Sequence, residues 1–307
     1  MGSSDVPPEE RGARLVAGTP ALVLAMVALL GLGFQLHLPH TLPSDGDDQA
    51  VGAALAAEHA PGDVVLLHPW WTERARLFLP ASIPVVGYLG DTGDDLIAHP
   101  RIWVLADERL PFVPDTDFRA RFLPDRTPLG PSRRFGPLTL TPYRNGRART
   151  VRFSAVEELG QAEVTVESPG GASAPCPRSG EAFVCRSGRA EPAWHEVLYQ
   201  PVRCLFVIPP GGAARIAVRF PEAPAGTLLL EAGISWEHAW KRERSDVQLT
   251  LGGPAGVLHL RIPQGHEGFV SADAPIPAPG PVTLTVQADD PHEREVCVRL
   301  RVLGNPP

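Results

Sequence analysis

The sequence predicts an α/β part followed by an all-β sandwich, both set behind one apolar N-terminal helix. Three observations predict it. Residues 15–36 are apolar except for Thr19 and Gln35. From 48 to 143, short apolar runs of strand length alternate with segments of helix length. From 150 onward helical periodicity disappears, and short apolar runs rich in β-branched residues are separated by Pro and Gly turns.

The N-terminal run comes first. A helix over 15–36 rises roughly 33 Å at ~1.5 Å per residue, which matches a bilayer core of about 30 Å. Pro20 falls in its first turns, where a helix tolerates it. Arg11 and Arg14 precede the run, and no Lys or Arg follows until Arg74. That asymmetry predicts a single-pass signal-anchor with residues 1–14 cytoplasmic, a transmembrane helix at 15–36 and the body periplasmic or extracellular. A cleaved signal peptide fits less well, because the run exceeds an h-region of ~7–15 residues and no A-x-A site follows.

Residues 37–47 read as a tether and 48–146 as the α/β domain. A helix is expected over 49–59 with Asp48 as N-cap, then a strand at 64–67 that is apolar throughout, as suits burial on both faces. A helix at 71–79, a strand at 84–88, a helix at 91–98 and a strand at 102–105 complete a β-α-β-α-β order, which implies a small parallel sheet. Residues 138–143 alternate as a later antiparallel edge strand, with Pro142 the reason for placing it at an edge. Residues 147–307 form the β-sandwich, expected to be jelly-roll-like, with strands at 151–156, 162–166, 204–208, 216–220, 228–234, 247–251, 257–262, 282–286 and 296–302.

Composition narrows the function. The chain has 307 residues, 43% hydrophobic and 21% charged, with 35 Pro and 30 Gly. A packed core of short elements follows. The net charge of -7 offers no general field for nucleic acid, which is not an expected partner. None of the four cysteines forms C-x-x-C, so no metal or thiol-redox site is expected. In an exported chain an even count predicts disulfides. Cys176 and Cys185 bracket a short Pro/Gly loop, which leaves Cys204 and Cys297 to pair across the sheet. His195-Glu196, His266-Glu267 and His292-Glu293 never complete H-E-x-x-H, and phosphate-loop, dinucleotide and G-x-S-x-G signatures are absent. No cofactor and no catalytic residue is therefore expected.

Two candidate ligand surfaces remain. The row Trp236-Glu-His-Ala-Trp240, if extended, sets Trp236, His238 and Trp240 on one face, with Lys241, Arg242 and Arg244 beside them. Such a row is a stacking platform for a sugar chain; the plainer reading is a packed sandwich strand. The second surface lies at the carboxyl ends of the parallel strands, where ligands bind in such sheets. It carries His68, Trp70, Trp71, Tyr88, Asp91, Asp94 and Asp107, and acids among aromatic faces suit sugars. The plainer reading is that the acids cap helices. Trp194 and His195 precede a strand and read as structural.

Two resemblances add to this. Ala-x-Glu-His-Ala-Pro-Gly-Asp-Val-Val-Leu-Leu-His-Pro (56–69), Arg-Ile-Trp-Val-Leu (101–105) and Phe-Gly-Pro-Leu-Thr-Leu-Thr-Pro-Tyr (135–143) resemble the soluble C-terminal domain of GT-C membrane glycosyltransferases of the mannosyltransferase-like type. The polytopic part that holds those enzymes' catalytic acid has no counterpart here, so the resemblance implies a domain and a partner rather than an activity. Leu-Glu-Ala-Gly-Ile-Ser (230–235), followed by a strand opening at Asp246-Val247, looks like galactose-binding-like sandwiches and carbohydrate-binding modules. Together the readings describe a non-catalytic, membrane-anchored envelope protein that binds glycans or an envelope partner. The alternatives are an accessory subunit of a polytopic membrane glycosyltransferase, and a hydrolase or transferase with an unrecognised site among the strand-end carboxylates.

Overall fold

The structure is a computed structural model. It describes residues 8–70, 72–87, 96–107, 118–198, 200–239, 245–290 and 294–305; the side chains of 8–19, 21, 39–41, 200 and 236 lie outside that description. The expected helix at 91–98 therefore falls largely outside it.

Helix α1 runs over Pro8–Thr41, longer at both ends than the 15–36 expected. Every large apolar side chain from Leu22 to Leu36 is more than half exposed. Among the described residues, no helix is long and apolar enough to cross a membrane, so the spanning segment is not supported as such. The tether of 37–47 is corrected too. Only three residues separate α1 from α2, which spans Asp45–Glu58. The cap of α2 is Ser44 rather than Asp48. The Ser44 hydroxyl accepts from the Asp47 N–H at 3.2 Å while the Asp47 carboxylate accepts from the Ser44 N–H at 2.8 Å. This reciprocal pair satisfies two of the donors a helix start leaves open. Asp48 instead lies buried in the first turn, where burial and the neighbouring Asp47 charge push its carboxyl up.

The first sheet is mixed. Strands β1 (Val64–His68), β2 (Val85–Gly87) and β3 (Arg101–Asp107) are parallel in the order β2-β1-β3. Strands β4 (Arg126–Pro128), β5 (Arg133–Phe135) and β6 (Leu138–Asn145) add antiparallel pairs beyond β3. A 3-10 helix over Thr72–Phe78 replaces the helix expected at 71–79. Alternate residues of β1 feed opposite cores. Val65 and Leu67 pack with Val51, Leu55 and Trp103, whereas Val64 and Leu66 pack with Leu96, Ile102 and Phe118. That explains an apolar run without alternation. The edge position expected for 138–143 is wrong: β6 lies between β3 on one side and β4 with β5 on the other. Pro142 is tolerated because its carbonyl accepts from the Leu129 N–H. Its missing donor thus faces the side where β5 gives way to β4 and disturbs no bond to β3.

The second part is a sandwich of two antiparallel sheets. In chain order its strands are β7 (Val151–Ser154), β8 (Glu163–Glu167), β9 (Ser173–Pro175), β10 (Arg178–Ser179), β11 (Ala182–Val184), β12 (Arg189–Val197) and β13 (Gln200–Ile208). They continue as β14 (Arg215–Ala223), β15 (Gly226–Ile234), β16 (Val247–Gly253), β17 (Gly256–Ile262), β18 (Phe269–Ile276), β19 (Gly280–Ala288) and β20 (Val296–Leu303). One sheet is ordered β10-β11-β12-β13-β20-β15-β18 with β7 on β20, and the other β17-β16-β19-β14-β8-β9. Their inner faces share one core, in which Leu205, Val298 and Leu230 meet Ile216, Leu249 and Leu284. Phe153 and Phe220 meet edge to face across it, with centroids 5.2 Å apart. Burying such side chains contributes about 1.5–3 kcal/mol each. Disulfides join Cys176 to Cys185 (Cα–Cα 4.4 Å) and Cys204 to Cys297 (Cα–Cα 5.4 Å).

Candidate functional site

The first expected surface does not begin as an extended row. Trp236–Ala239 is a helical turn, so residues two apart do not share a face and the platform argument for Trp236 and His238 fails. His238 is half-buried, with Nδ1 2.8 Å from Glu295 Oε2. Trp240, Lys241, Arg242 and Arg244 lie outside the described residues. So do Trp71, Tyr88, Asp91 and Asp94 of the second surface. Of the rest of that surface, His68 stacks on Phe118 at 4.1 Å between centroids and Asp107 is buried. Trp70 alone is 38% exposed. Among the described residues no cluster of His, Cys, Asp or Glu could hold a metal ion.

Trp70 belongs instead to a cleft of about 630 Å³ between the mixed sheet and the sandwich. That volume suits a small ligand. One wall is the open edge of β2 and the 3-10 helix before it. Trp70 lies against Gly87, where a Cβ would come 2.8 Å from the Trp70 Cβ, so only glycine admits the indole there. Glu73 and Arg76 stand on the same wall. Arg76 donates from Nε to Glu73 Oε2 (2.6 Å), from Nη2 to Oε1 (2.9 Å) and from Nη1 to the Val85 carbonyl (2.9 Å). The bonds to Glu73 hold the guanidinium more firmly charged than usual.

The other wall is the outer face of the larger sandwich sheet. Trp194 on β12 is 68% exposed and lines the cleft. Its partner in register is Arg203 on β13. Side chains so paired point to one face with Cβ atoms about 4.5–5.5 Å apart. Arg299 and Arg301 of β20 complete the wall. Both donate to Glu231 of β15, which is 1% exposed; Arg299 Nη2 is 3.0 Å from Oε1, and Arg301 Nη2 bonds Oε2. Arg299 also lies over the Phe269 ring at 4.2 Å. The Cys204–Cys297 bond ties β13 to β20 within this wall. His195 stacks on Phe206 at 3.7 Å, and burial pushes its imidazole below the ordinary value against the pull of Glu191, Glu295 and Glu237.

Sequence reasoning found Trp70 but missed Trp194, Arg203, Arg299 and Arg301. The signal for Trp194 and Arg203 was the hairpin β12–β13, which went unread. Leu198 follows β12 at φ 50, a conformation that Gly or Asn usually marks. Trp194 therefore lies within a strand rather than before one.

Fold and cleft together define a β-rich, two-part chain with an aromatic, arginine-lined groove. No protein-family model and no curated protein matches the sequence. Among solved structures the chain is similar to the CBM51-2 and INT domains of Clostridium perfringens ZmpB, at 7% identity and TM-score 0.25, covering 46% of this chain and 26% of that one. It is also similar to a carbohydrate-binding module of the β-sandwich superfamily, at 13% identity and TM-score 0.29, covering 55% and 68%. A third is an exo-beta-1,3-galactanase from Phanerochaete chrysosporium, at 11% identity and TM-score 0.24, covering 55% and 38%. The chain thus spans a quarter to two thirds of these structures, and at such TM-scores the likenesses carry no argument about what it binds.

Proposed function

We propose that this chain is a glycan-binding protein of a cell envelope and that the cleft between its two parts is the binding site. The observation that carries this reading is the pair of exposed indoles, Trp70 and Trp194, lining one cleft among guanidinium groups. Large exposed aromatics are uncommon and informative. An indole face matches the C–H face of a pyranose, and guanidinium donors match its hydroxyls. The two disulfides support an oxidising location. The exposed apolar side chains of α1 support attachment of the chain to a membrane surface. A hydrolase would need two facing carboxylates. Among the described lining residues Glu73 is the only acid, and it is held bidentate by Arg76.

The test is a glycan array probed with the full chain and with Trp194→Ala. The expected result is binding that the substitution weakens roughly tenfold or more, equivalent to about 1.4 kcal/mol, with melting unchanged because the ring is exposed. A silent array, or equal binding by the variant, overturns the reading.

A further inference from the structure

We infer that the saccharide taken by this cleft is acidic and that Arg203 reads its carboxylate. The inference rests on the glycan reading above and adds the class of sugar. The whole chain carries 28 basic and 35 acidic residues, yet the described lining of the cleft carries Arg76, Arg203, Arg299 and Arg301 against Glu73 alone. A positive groove in a negative protein concentrates anionic ligands there.

The four arginines are not equivalent. Arg76 is occupied by Glu73 and the Val85 carbonyl. Arg299 and Arg301 are both engaged by the buried carboxylate of Glu231. Arg203 is the one available for exchange. Its side chain is 46% exposed, and its bond to Glu157 runs from Nη1 alone, at 2.7 Å, to a carboxylate that is itself 61% exposed and off the cleft lining. Exposed pairs of this kind hold weakly. A ligand carboxylate can therefore replace Glu157 and engage the guanidinium fork by two parallel bonds. Register supplies the reach: Arg203 stands directly opposite Trp194. A pyranose stacked on the indole extends its equatorial substituents sideways, toward that neighbour. A uronic-acid ring thus places its apolar face on Trp194 and its carboxylate at Arg203.

The experiment is calorimetric titration of the full chain, in detergent micelles, with polygalacturonate, alginate and hyaluronan and with the carboxyl-reduced form of each. The reduced forms keep the backbone and lose the charge. The inference expects at least one acid polymer to bind, its reduced form to bind at least tenfold more weakly, and the affinity to fall with salt. Arg203→Ala should lower that affinity about tenfold and Arg203→Lys less, and the loss should be larger for the acid polymer than for its carboxyl-reduced form. Equal binding of acid and reduced forms, or an unchanged affinity in Arg203→Ala, overturns the acidic assignment while the glycan reading stands. Failure of all six polymers together with a silent glycan array overturns both. Failure of all six beside array binding to neutral sugars overturns this inference alone.

Discussion

Replacing Asp63 by alanine should destabilise the mixed-sheet part by about 3–5 kcal/mol, the usual cost of removing one partner from a buried ion pair. The carboxylate is 4% exposed and gathers four donors, three from β3 and one from the loop after α2. Arg101 donates from Nε at 2.9 Å and from Nη2 at 2.6 Å, the Trp103 indole N–H at 2.9 Å and the Ala60 N–H at 2.9 Å. Without the acceptor, the N–H of buried Trp103 goes unsatisfied, at about 1–3 kcal/mol. Arg101 is partly exposed and can turn to water, so its share is smaller. The pH dependence has a definite sign. Burial pushes the Asp63 carboxyl up, but the Arg101, Ala60 and Trp103 bonds outweigh it and hold it below the ordinary value. A carboxyl with a depressed folded pKa contributes stability that is present above the unfolded value, about 3.9, and lost as pH falls through the folded one. Urea unfolding followed by circular dichroism should show the full gap between wild type and Asp63→Ala from pH 5 to pH 8, and a narrowing gap below about pH 4. A variant within about 0.5 kcal/mol of wild type at pH 7, or a gap that widens with acid, would refute the reasoning.

Three further outcomes are expected. Removing the Cys204–Cys297 bond by paired alanine substitutions opens a connection with a sequence separation of 93; thermal unfolding should show a loss of about 2–5 kcal/mol, and an unchanged transition would contradict the bond's presence in solution. Gly87→Ala brings a Cβ within 2.8 Å of Trp70, so glycan affinity should fall several-fold while the fold survives at a cost of about 1–3 kcal/mol; wild-type affinity would mean that Trp70 is not part of the site. The full chain should sediment with membranes after a high-salt wash, and a version starting at residue 42 should not. Release of the full chain by salt would count against attachment through α1.

Much of the fold was legible because burial imposes periodicity. The continuous run Val64 to Leu67 marked a strand covered on both faces, and the alternation Val296, Val298, Leu300, Val302 marked one whose alternate residues enter the sandwich core. Two of the strands that escaped notice, β12 and β18, break that pattern for physical reasons. Pro192 lies in β12 beyond the short pairing with β11, where that edge is open, and Pro275 lies in β18, the last strand of its sheet. Proline is tolerated at such edges and hides the strand from a reading based on runs. Asp48 was mistaken for a cap because Ser44, four residues earlier, was assigned to the tether. The site was less legible than the fold. Trp236 to Arg244 drew attention as a dense aromatic and basic run, but its first turn, Trp236–Ala239, is helical rather than extended. The cleft joins residues from 70 to 87 with residues from 194 to 301, and only pairing between distant strands brings them together.

The most direct test of the central claim is a crystal structure of the body bound to the saccharide with the highest affinity on the array. The account predicts a pyranose ring in the cleft, stacked on Trp194 or Trp70, with an acidic substituent at Arg203. A sugar ordered elsewhere on the sandwich, with the cleft holding only solvent, would contradict it.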